Sequence, residues 1–121
     1  MKIKPILPTL KEKKRYLSFD IVSQKDISVD AAAKAVSQST LQFLGTMEAG
    51  KAGMLFFKDK YHNNAGVIKT GHLYVDKIRS ALMLITAIDN NAVIVRTRVV
   101  SGTLKKAISK FNDMKDKDTT R

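Results

Sequence analysis

Three groups of residues in this sequence have the types and the spacing needed to bind phosphate groups. The first group places Lys11, Lys13, Lys14 and Arg15 within five residues. Ammonium and guanidinium groups in such a cluster neutralise phosphates and release the counterions bound to a nucleic acid. A solvated arm that only improves solubility is the alternative interpretation. We predict phosphate contact, because the cluster adds charge to a chain that is already basic.

The second group is Arg96 and Arg98, which lie two residues apart in a run that alternates like a β-strand. Side chains at this spacing point to the same face of a sheet. The planar guanidinium suits RNA phosphates and also stacks on exposed bases. The alternative is a set of cross-strand ion pairs with an acid such as Asp20. Lys58 and Lys69 join the two arginines if the registers of their strands agree.

The third group lies where a predicted strand enters a predicted helix. Ser101, Gly102 and Thr103 precede Lys105 and Lys106. The free amides at a helix start attract anions, and glycine allows a phosphate to approach the backbone closely. We therefore predict a phosphate contact at this helix start, in addition to capping of the helix by Ser101 or Thr103. Capping alone is the alternative interpretation.

The spacing of the remaining polar residues predicts neither catalysis nor metal binding. The chain contains no cysteine, which excludes disulfides, thiol nucleophiles and thiolate metal sites. Its two histidines, His62 and His72, fall in a turn and at a strand end, and two such ligands make a poor zinc site. The sequence also lacks a glycine-rich phosphate loop and paired carboxylates. We expect no catalytic residue and no metal or cofactor on the protein itself.

The net charge of the chain makes a polyanion the expected partner. The 121 residues include 22 Lys and Arg against 11 Asp and Glu, so the formal net charge is +11. The hydrophobic fraction of 44% is that of a folded protein. Nucleic acid is the leading candidate partner for such a chain. The sequence contains no apolar run of membrane-spanning length and no signal peptide, which favours a soluble intracellular protein.

The elements that must position these residues follow from the hydrophobic periodicity, which predicts the order strand, helix, strand, strand, helix, strand, helix. Strands are predicted over residues 15–23, 54–58, 66–70 and 92–100, and helices over residues 29–47, 74–88 and 102–114. Gly45, Gly50 and Gly53 mark the loop after the first helix, and Asn63 and Asn64 supply a turn.

This order predicts an α+β fold. Without the last helix it is the β-α-β-β-α-β pattern of ferredoxin-like and RNA-recognition-motif-like sandwiches, to which an extra C-terminal helix and a basic N-terminal arm are added. Two helices on one face of the sheet leave the other face open. Tyr16 lies on that open face, where it can stack on a base but is more often an ordinary surface residue.

We divide the chain into three parts. Residues 1–14 form a basic arm, which Pro5 and Pro8 bias toward extended backbone. Residues 15–114 form a single α/β RNA-binding domain. Residues 115–121 form a charged tail that lacks apolar periodicity, and we predict that this tail is disordered.

Three segments of the sequence together resemble the ribonuclease P protein component 2 family, the small subunit shared by archaeal and eukaryotic ribonuclease P. The segments are LPTLKEKKRY at residues 7–16, GVIKTGHLYVDKIRSAL at residues 66–82 and VSGTLKK at residues 100–106. They occur in the family's order and span most of the chain. The resemblance implies a fold similar to a decorated RNA-recognition motif, in agreement with the predicted order of elements.

The resemblance also implies a non-catalytic protein subunit of a ribonucleoprotein endoribonuclease. In this family the RNA subunit removes the 5′ leader from precursor tRNA with bound Mg²⁺. Component 2 pairs with ribonuclease P protein component 3, can self-associate and braces the catalytic RNA. We therefore expect a cytoplasmic chain that binds ribonuclease P RNA directly and precursor tRNA only indirectly. The predicted RNA-binding residues are Lys11, Lys13, Lys14, Arg15, Arg79, Arg96, Arg98, Lys105 and Lys106, with a phosphate at Ser101, Gly102 and Thr103.

Three other interpretations stay open beside this one. A small enzyme on the same fold, such as an acylphosphatase, binds phosphate with an arginine in a loop after the first strand. Gln24, Lys25 and Asp26 stand at that place in this sequence. A ligand-binding or dimerisation module accounts for the fold but not for the charge, whereas a generic RNA-binding module accounts for both.

Overall fold

The computed structural model describes residues 13–119, with side chains as far as Met114. Within this range the helices are α1 (Val29–Ala52), α2 (Val75–Met83) and α3 (Leu104–Thr119). The strands are β1 (Lys14–Val22), β2 (Leu55–Phe56), β3 (Ala65–Gly71), β4 (Ala87–Ile88), β5 (Asn91–Ala92) and β6 (Ile94–Ser101). Single turns of 3₁₀ helix follow β2 at Lys58–Lys60 and β3 at His72–Tyr74.

Four of these strands form one antiparallel sheet with the order β2-β3-β1-β6, and β4 and β5 form a separate hairpin. The two central strands of the sheet, β3 and β1, come from different halves of the chain. This order is the one that two split β-α-β units produce, so the predicted ferredoxin-like fold is confirmed. Within residues 13–119, no helix is both long enough and apolar enough to span a bilayer.

One face of the sheet carries the main hydrophobic core. Leu17, Phe19 and Ile21 alternate along β1 and are at most 4% exposed, and they pack beneath α1 and α2. A Cβ on Gly66 would lie 3.1 Å from the rings of both Phe19 and Tyr61. Gly66 therefore lets these two rings pack directly against β3. We call this face the inner face.

The opposite face, which we call the outer face, is covered by α3 over β1 and β6. The hydroxyl of Ser18 donates a 2.7 Å hydrogen bond to the carbonyl oxygen of Ala107, and both residues are fully buried. The expectation of an open second face is wrong. A helix with an apolar stripe must bury that stripe, and the nearest uncovered surface is this face of the sheet.

The first helix is longer than its periodicity predicts. It continues from the predicted end near residue 47 to Ala52, so the predicted loop is helical. Gly45 interrupts the helix with φ 81° and ψ 167°, a conformation that residues with a side chain rarely adopt. Gly53 then ends the helix in the left-handed region, with φ 59°.

The second helix is shorter than predicted. It ends at Met83 rather than at Ile88, and the chain turns through Asp89 and Asn90, which have φ values of 51° and 65°. This turn closes the β4–β5 hairpin. The predicted turn at Asn63 and Asn64 is confirmed, since both residues also have positive φ.

The boundaries at both ends of the predicted domain shift in the structure. Lys14, the last residue of the predicted arm, already belongs to β1, and residues 1–12 of that arm lie outside the described residues. The third helix continues to Thr119, five residues past the predicted boundary at Met114, so residues 115–119 are helical where a disordered tail was expected. The division of the chain into three parts otherwise stays a prediction.

Candidate nucleic-acid interface

Pairing between β1 and β6 brings two of the predicted phosphate-binding groups to one end of the sheet. Tyr16 lies opposite Ser101 in this ladder, so the start of β1 lies beside the start of α3. The Nη1 atom of Arg15 lies 3.8 Å from the position that a Cβ would occupy on Gly102. We call this group the basic end; its members are Lys13, Lys14, Arg15, Lys105 and Lys106.

The start of α3 is capped by its own side chains. The hydroxyl of Thr103 accepts a 3.2 Å hydrogen bond from the amide of Lys106, and the hydroxyl of Ser101 accepts a 3.3 Å bond from the amide of Thr103. The predicted capping is therefore confirmed. The first amides of a helix, here those of Leu104 and Lys105, have no acceptor within the helix, and such amides attract anions.

The five side chains of the basic end take part in no ion pair shorter than 4.0 Å within residues 13–114. Lys14 Nζ lies 3.7 Å from the Cβ position of Gly53, where the negative end of the α1 dipole attracts it. The charge of the basic end is therefore not offset by an ion pair within residues 13–114. Lys11, which was predicted to belong to this group, lies outside the described residues.

Arg96 and Arg98 form a separate group toward the other end of the sheet. The guanidinium of Arg96 donates hydrogen bonds of 2.9 and 2.7 Å to the two carboxylate oxygens of Asp20. Arg98 Nη1 lies 3.6 Å from the same carboxylate, and its side chain is only 16% exposed. The ion-pair alternative for these arginines is therefore the arrangement that the structure shows. A role of either arginine in RNA contact stays a prediction.

The remaining predicted residue, Arg79, lies on α2 away from the basic end. It lines a groove between α2 and β6 together with Met83, Ile94 and Arg96. Met83 and Ile94 are 74% and 62% exposed, so this groove is largely apolar. The structure thus divides the predicted residues into two sets, one at the basic end and one around the middle of β6.

The two lysines that were expected to join Arg96 lie elsewhere. Lys69 pairs with Tyr16 across the β1–β3 ladder and therefore belongs near the basic end. Lys58 Nζ lies 3.5 Å from the carboxylate of Asp30 in an exposed ion pair. Neither position follows from the sequence without the strand register.

One contact on the outer face was not predicted from the sequence. Phe57 stacks on Tyr16, with 6.1 Å between the ring centroids and 25° between the ring planes. The signal was present in the alternation around β2, because Phe56 faces the inner core while Leu55 and Phe57 face the other side.

The described residues hold no group of three or more His, Asp or Glu side chains placed to bind a metal ion. His72 Nδ1 lies 3.2 Å from the carbonyl oxygen of Lys13, and the His72 amide donates a 2.7 Å bond to that oxygen. These contacts tie the end of β3 to the residue that precedes β1. The histidine thus has a structural contact at the basic end.

Comparisons with known proteins give several matches that span most of the chain. The family model described as the Rpp14/Pop5 family matches residues 15–112 of the chain. A protein of Pyrococcus abyssi named ribonuclease P protein component 2 is 34% identical over 111 residues, which cover 92% of this chain and 94% of that protein. The protein of that name from Pyrococcus horikoshii is 36% identical over 112 residues, covering 91% and 92% of the two chains.

A more distant relative and a solved structure agree with these matches. The ribonuclease P protein component 2 of Methanosarcina mazei is 31% identical over 109 residues, covering 90% of this chain and 92% of that protein. A chain in the cryo-EM structure of yeast ribonuclease MRP has a TM-score of 0.59, and the match covers 90% of this chain and 95% of that chain. At 12% sequence identity, the structural likeness shows the fold alone.

Proposed function

Because the chain belongs to the Rpp14/Pop5 family, we propose that it is a protein subunit of ribonuclease P that binds and stabilises the catalytic RNA. The observation that carries this proposal is the basic end, where the start of β1 and the start of α3 place cations and helix amides side by side. Several RNA phosphates that approach one another in a folded RNA can be bound there at the same time.

The physical contribution of the basic end is electrostatic. Phosphates that are crowded together in a folded RNA repel one another, and ammonium and guanidinium groups reduce that repulsion while releasing counterions. Arg15 adds a planar fork of donors, and Gly102 lets a phosphate approach the backbone. The protein thereby lowers the free energy needed to fold the RNA and to dock its substrate.

Bond cleavage in this proposal belongs to the RNA. The RNA removes the 5′ leader of precursor tRNA and holds the Mg²⁺ ions that the chemistry requires, and the chain meets precursor tRNA only indirectly. Ribonuclease P protein component 3 is the proposed protein partner, and the assembly works in the cytoplasm. The apolar groove that contains Met83 and Ile94 is a suitable surface for a protein partner, because a single subunit leaves it exposed.

The proposal is tested by measuring how salt affects binding of the chain to ribonuclease P RNA. The triple variant K13Q/K14Q/R15Q removes three cations from the basic end. If each cation neutralises one phosphate, the slope of log K against log salt becomes shallower by about two to three. The double variant K105Q/K106Q removes the two lysines at the start of α3 and should reduce the slope by about one to two.

A matched control uses two lysines at the opposite end of the sheet. Lys25 follows β1 and Lys60 precedes β3, and both are exposed. K25Q/K60Q makes the same change in charge as K105Q/K106Q, and we expect it to leave the slope nearly unchanged. Equal slopes for both double variants would show that only net charge matters, and this would remove the basic end from the interface.

A further inference from the structure

The stacked pair of Tyr16 and Phe57 forms an aromatic surface that phosphate binding at the basic end does not use. Tyr16 lies on β1 opposite Lys69 of β3, and Phe57 directly follows β2. The two rings lie 6.1 Å apart and nearly parallel, which is the arrangement that aromatic pairs favour. We call these three residues, Tyr16, Phe57 and Lys69, the aromatic corner.

The aromatic corner lies on the part of the outer face that α3 does not cover. The helix starts beside β6, its Ala107 carbonyl reaches Ser18 on β1, and Phe111 lines a cavity with Ala65 and Val67 of β3. Its path therefore runs away from the corner. All three residues of the corner are partly exposed, and the neighbouring Leu55 is 47% exposed.

The charges around the aromatic corner favour RNA over a protein partner. Lys69 stands beside Tyr16 in the ladder and lies on the same face of the sheet. The next carboxylate along β1 is Asp20, four residues away, and it is bound by Arg96 and Arg98. An aromatic pair beside a lysine matches a nucleotide, because a base offers a flat face and its phosphate offers a negative charge.

We propose that the aromatic corner binds one unpaired nucleotide of the RNA, with its base on the Tyr16–Phe57 pair and its phosphate on Lys69. The proposal rests on the proposed RNA-binding function and adds a recognition element to it. The basic end binds phosphates of any RNA, whereas the corner prefers a nucleotide that is not base-paired. Together they direct the chain to a junction between a helix and an unpaired segment.

A spectroscopic test uses the absence of tryptophan from the chain. F57W places a single indole in the aromatic corner, where a stacked base quenches its fluorescence. We expect an eight-nucleotide single-stranded oligouridylate to quench this fluorescence, and a blunt RNA duplex of equal phosphate number to quench it far less. Quenching to the same extent by both probes would contradict the proposal.

Binding measurements on the full chain separate stacking from charge. Y16L keeps apolar bulk but lacks a ring, so we expect about tenfold weaker binding of the oligouridylate with an unchanged salt slope. Y16F keeps the ring and should restore binding. K69Q should weaken binding and reduce the salt slope by about one. Equal thermal unfolding temperatures for the variants and the wild type show that the fold is intact.

The outcomes show whether only the nucleotide site at the aromatic corner fails or whether the proposed RNA-binding function fails as well. If K13Q/K14Q/R15Q loses RNA affinity while Y16L and K69Q bind all probes as the wild type does, the aromatic corner is not a nucleotide site and the RNA-binding function stands. If the wild type binds neither the oligouridylate nor ribonuclease P RNA, both proposals fail. If Y16L instead weakens binding of component 3 and leaves RNA binding unchanged, the corner is a protein-binding surface and the nucleotide proposal is overturned.

Discussion

Replacing Asp20 with asparagine tests whether Arg96 and Arg98 are committed to holding the outer face together. The Asp20 carboxylate accepts two hydrogen bonds from Arg96, of 2.9 and 2.7 Å, and lies 3.6 Å from Arg98. D20N keeps the size of the side chain and one acceptor oxygen but removes the charge. We expect the variant to fold with lower stability.

The expected loss of stability follows from the exposure of the three side chains. Arg96 is 47% exposed, so solvent screens its pair with Asp20, and we assign about 1 kcal/mol to that pair. Arg98 is 16% exposed and its pair is less screened, which adds about 1 kcal/mol. D20N should therefore lower the free energy of unfolding by about 2 kcal/mol, which lowers the melting temperature of a domain of this size by about 8 °C.

The assay is urea and thermal unfolding followed by circular dichroism at low and high salt. D59N serves as the matched control because it makes the same chemical change at an exposed carboxylate in the turn after β2. We expect D59N to change the free energy of unfolding by less than about 0.5 kcal/mol. High salt should reduce the difference between the two variants, since the Arg96 pair is half exposed.

An unchanged stability of D20N would show that Asp20 does not hold the outer face together. If D20N is as stable as D59N at every salt concentration, the two guanidinium groups do not depend on Asp20. In that case R96Q and R98Q should weaken RNA binding as strongly as variants of the basic end. If Asp20 does hold both guanidinium groups, R96Q and R98Q mainly lower stability.

Three further predictions concern the fold. G45A should lower the free energy of unfolding by about 1–3 kcal/mol, because the φ of 81° at this position is strained for alanine. G50A, at a helical position, should raise the free energy of unfolding by about 0.5–1 kcal/mol. A rise in stability for both variants would mean that α1 straightens at Gly45. S18A should lower the free energy of unfolding, measured with urea, by about 1–2 kcal/mol, because it removes the buried hydrogen bond to Ala107. An unchanged free energy of unfolding would mean that α3 packs on the sheet without that bond. Burial, with a smaller effect of the Asp26 charge, raises the pKa of Tyr61 from 10.0 to about 12. The free energy of unfolding should therefore fall as pH rises from 10 to 12, because the unfolded state loses a proton that the folded state keeps. Y61F should remove this part of the pH dependence, and its persistence in Y61F would assign it to another group.

Much of the fold follows from short-range pattern. The alternation of Leu17, Phe19 and Ile21 identifies the buried face of β1, because a strand repeats every two residues and one face must be apolar. The helical spacing of Ala32, Ala33 and Val36 identifies the buried side of α1 in the same way. These features depend on a residue's immediate neighbours in the chain.

The end of α2 could not be predicted from the same pattern. Leu82, Ile85 and Ile88 are all buried, and their spacing of three residues fits a continuing helix. It fits the observed hairpin equally well, because a chain that turns back can bury the same residues. The positive φ values of Asp89 and Asn90 decide between the two, and such backbone conformations are not visible in hydrophobic periodicity.

In the candidate site, a group of adjacent residues could be identified from the sequence, whereas contacts between distant strands could not. The charge cluster at Lys13, Lys14 and Arg15 is visible in the sequence because its members are adjacent. The contact between Tyr16 and Phe57 depends on the pairing of both β1 and β2 with β3, and the ion pairs of Asp20 depend on a register shift in the β1–β6 ladder. Registers between distant strands are set by tertiary packing, so these contacts required the structure.

We propose that the chain stabilises a catalytic RNA and that this RNA breaks the bond in precursor tRNA. The most direct measurement is the cleavage of precursor tRNA by ribonuclease P RNA over a range of Mg²⁺ concentrations, with component 3 present, with and without the chain. We expect that the wild type shifts the Mg²⁺ requirement to lower concentration, that K13Q/K14Q/R15Q shifts it less, and that the chain alone leaves precursor tRNA intact. Cleavage by the chain without RNA, or an unchanged Mg²⁺ requirement, would contradict the claim.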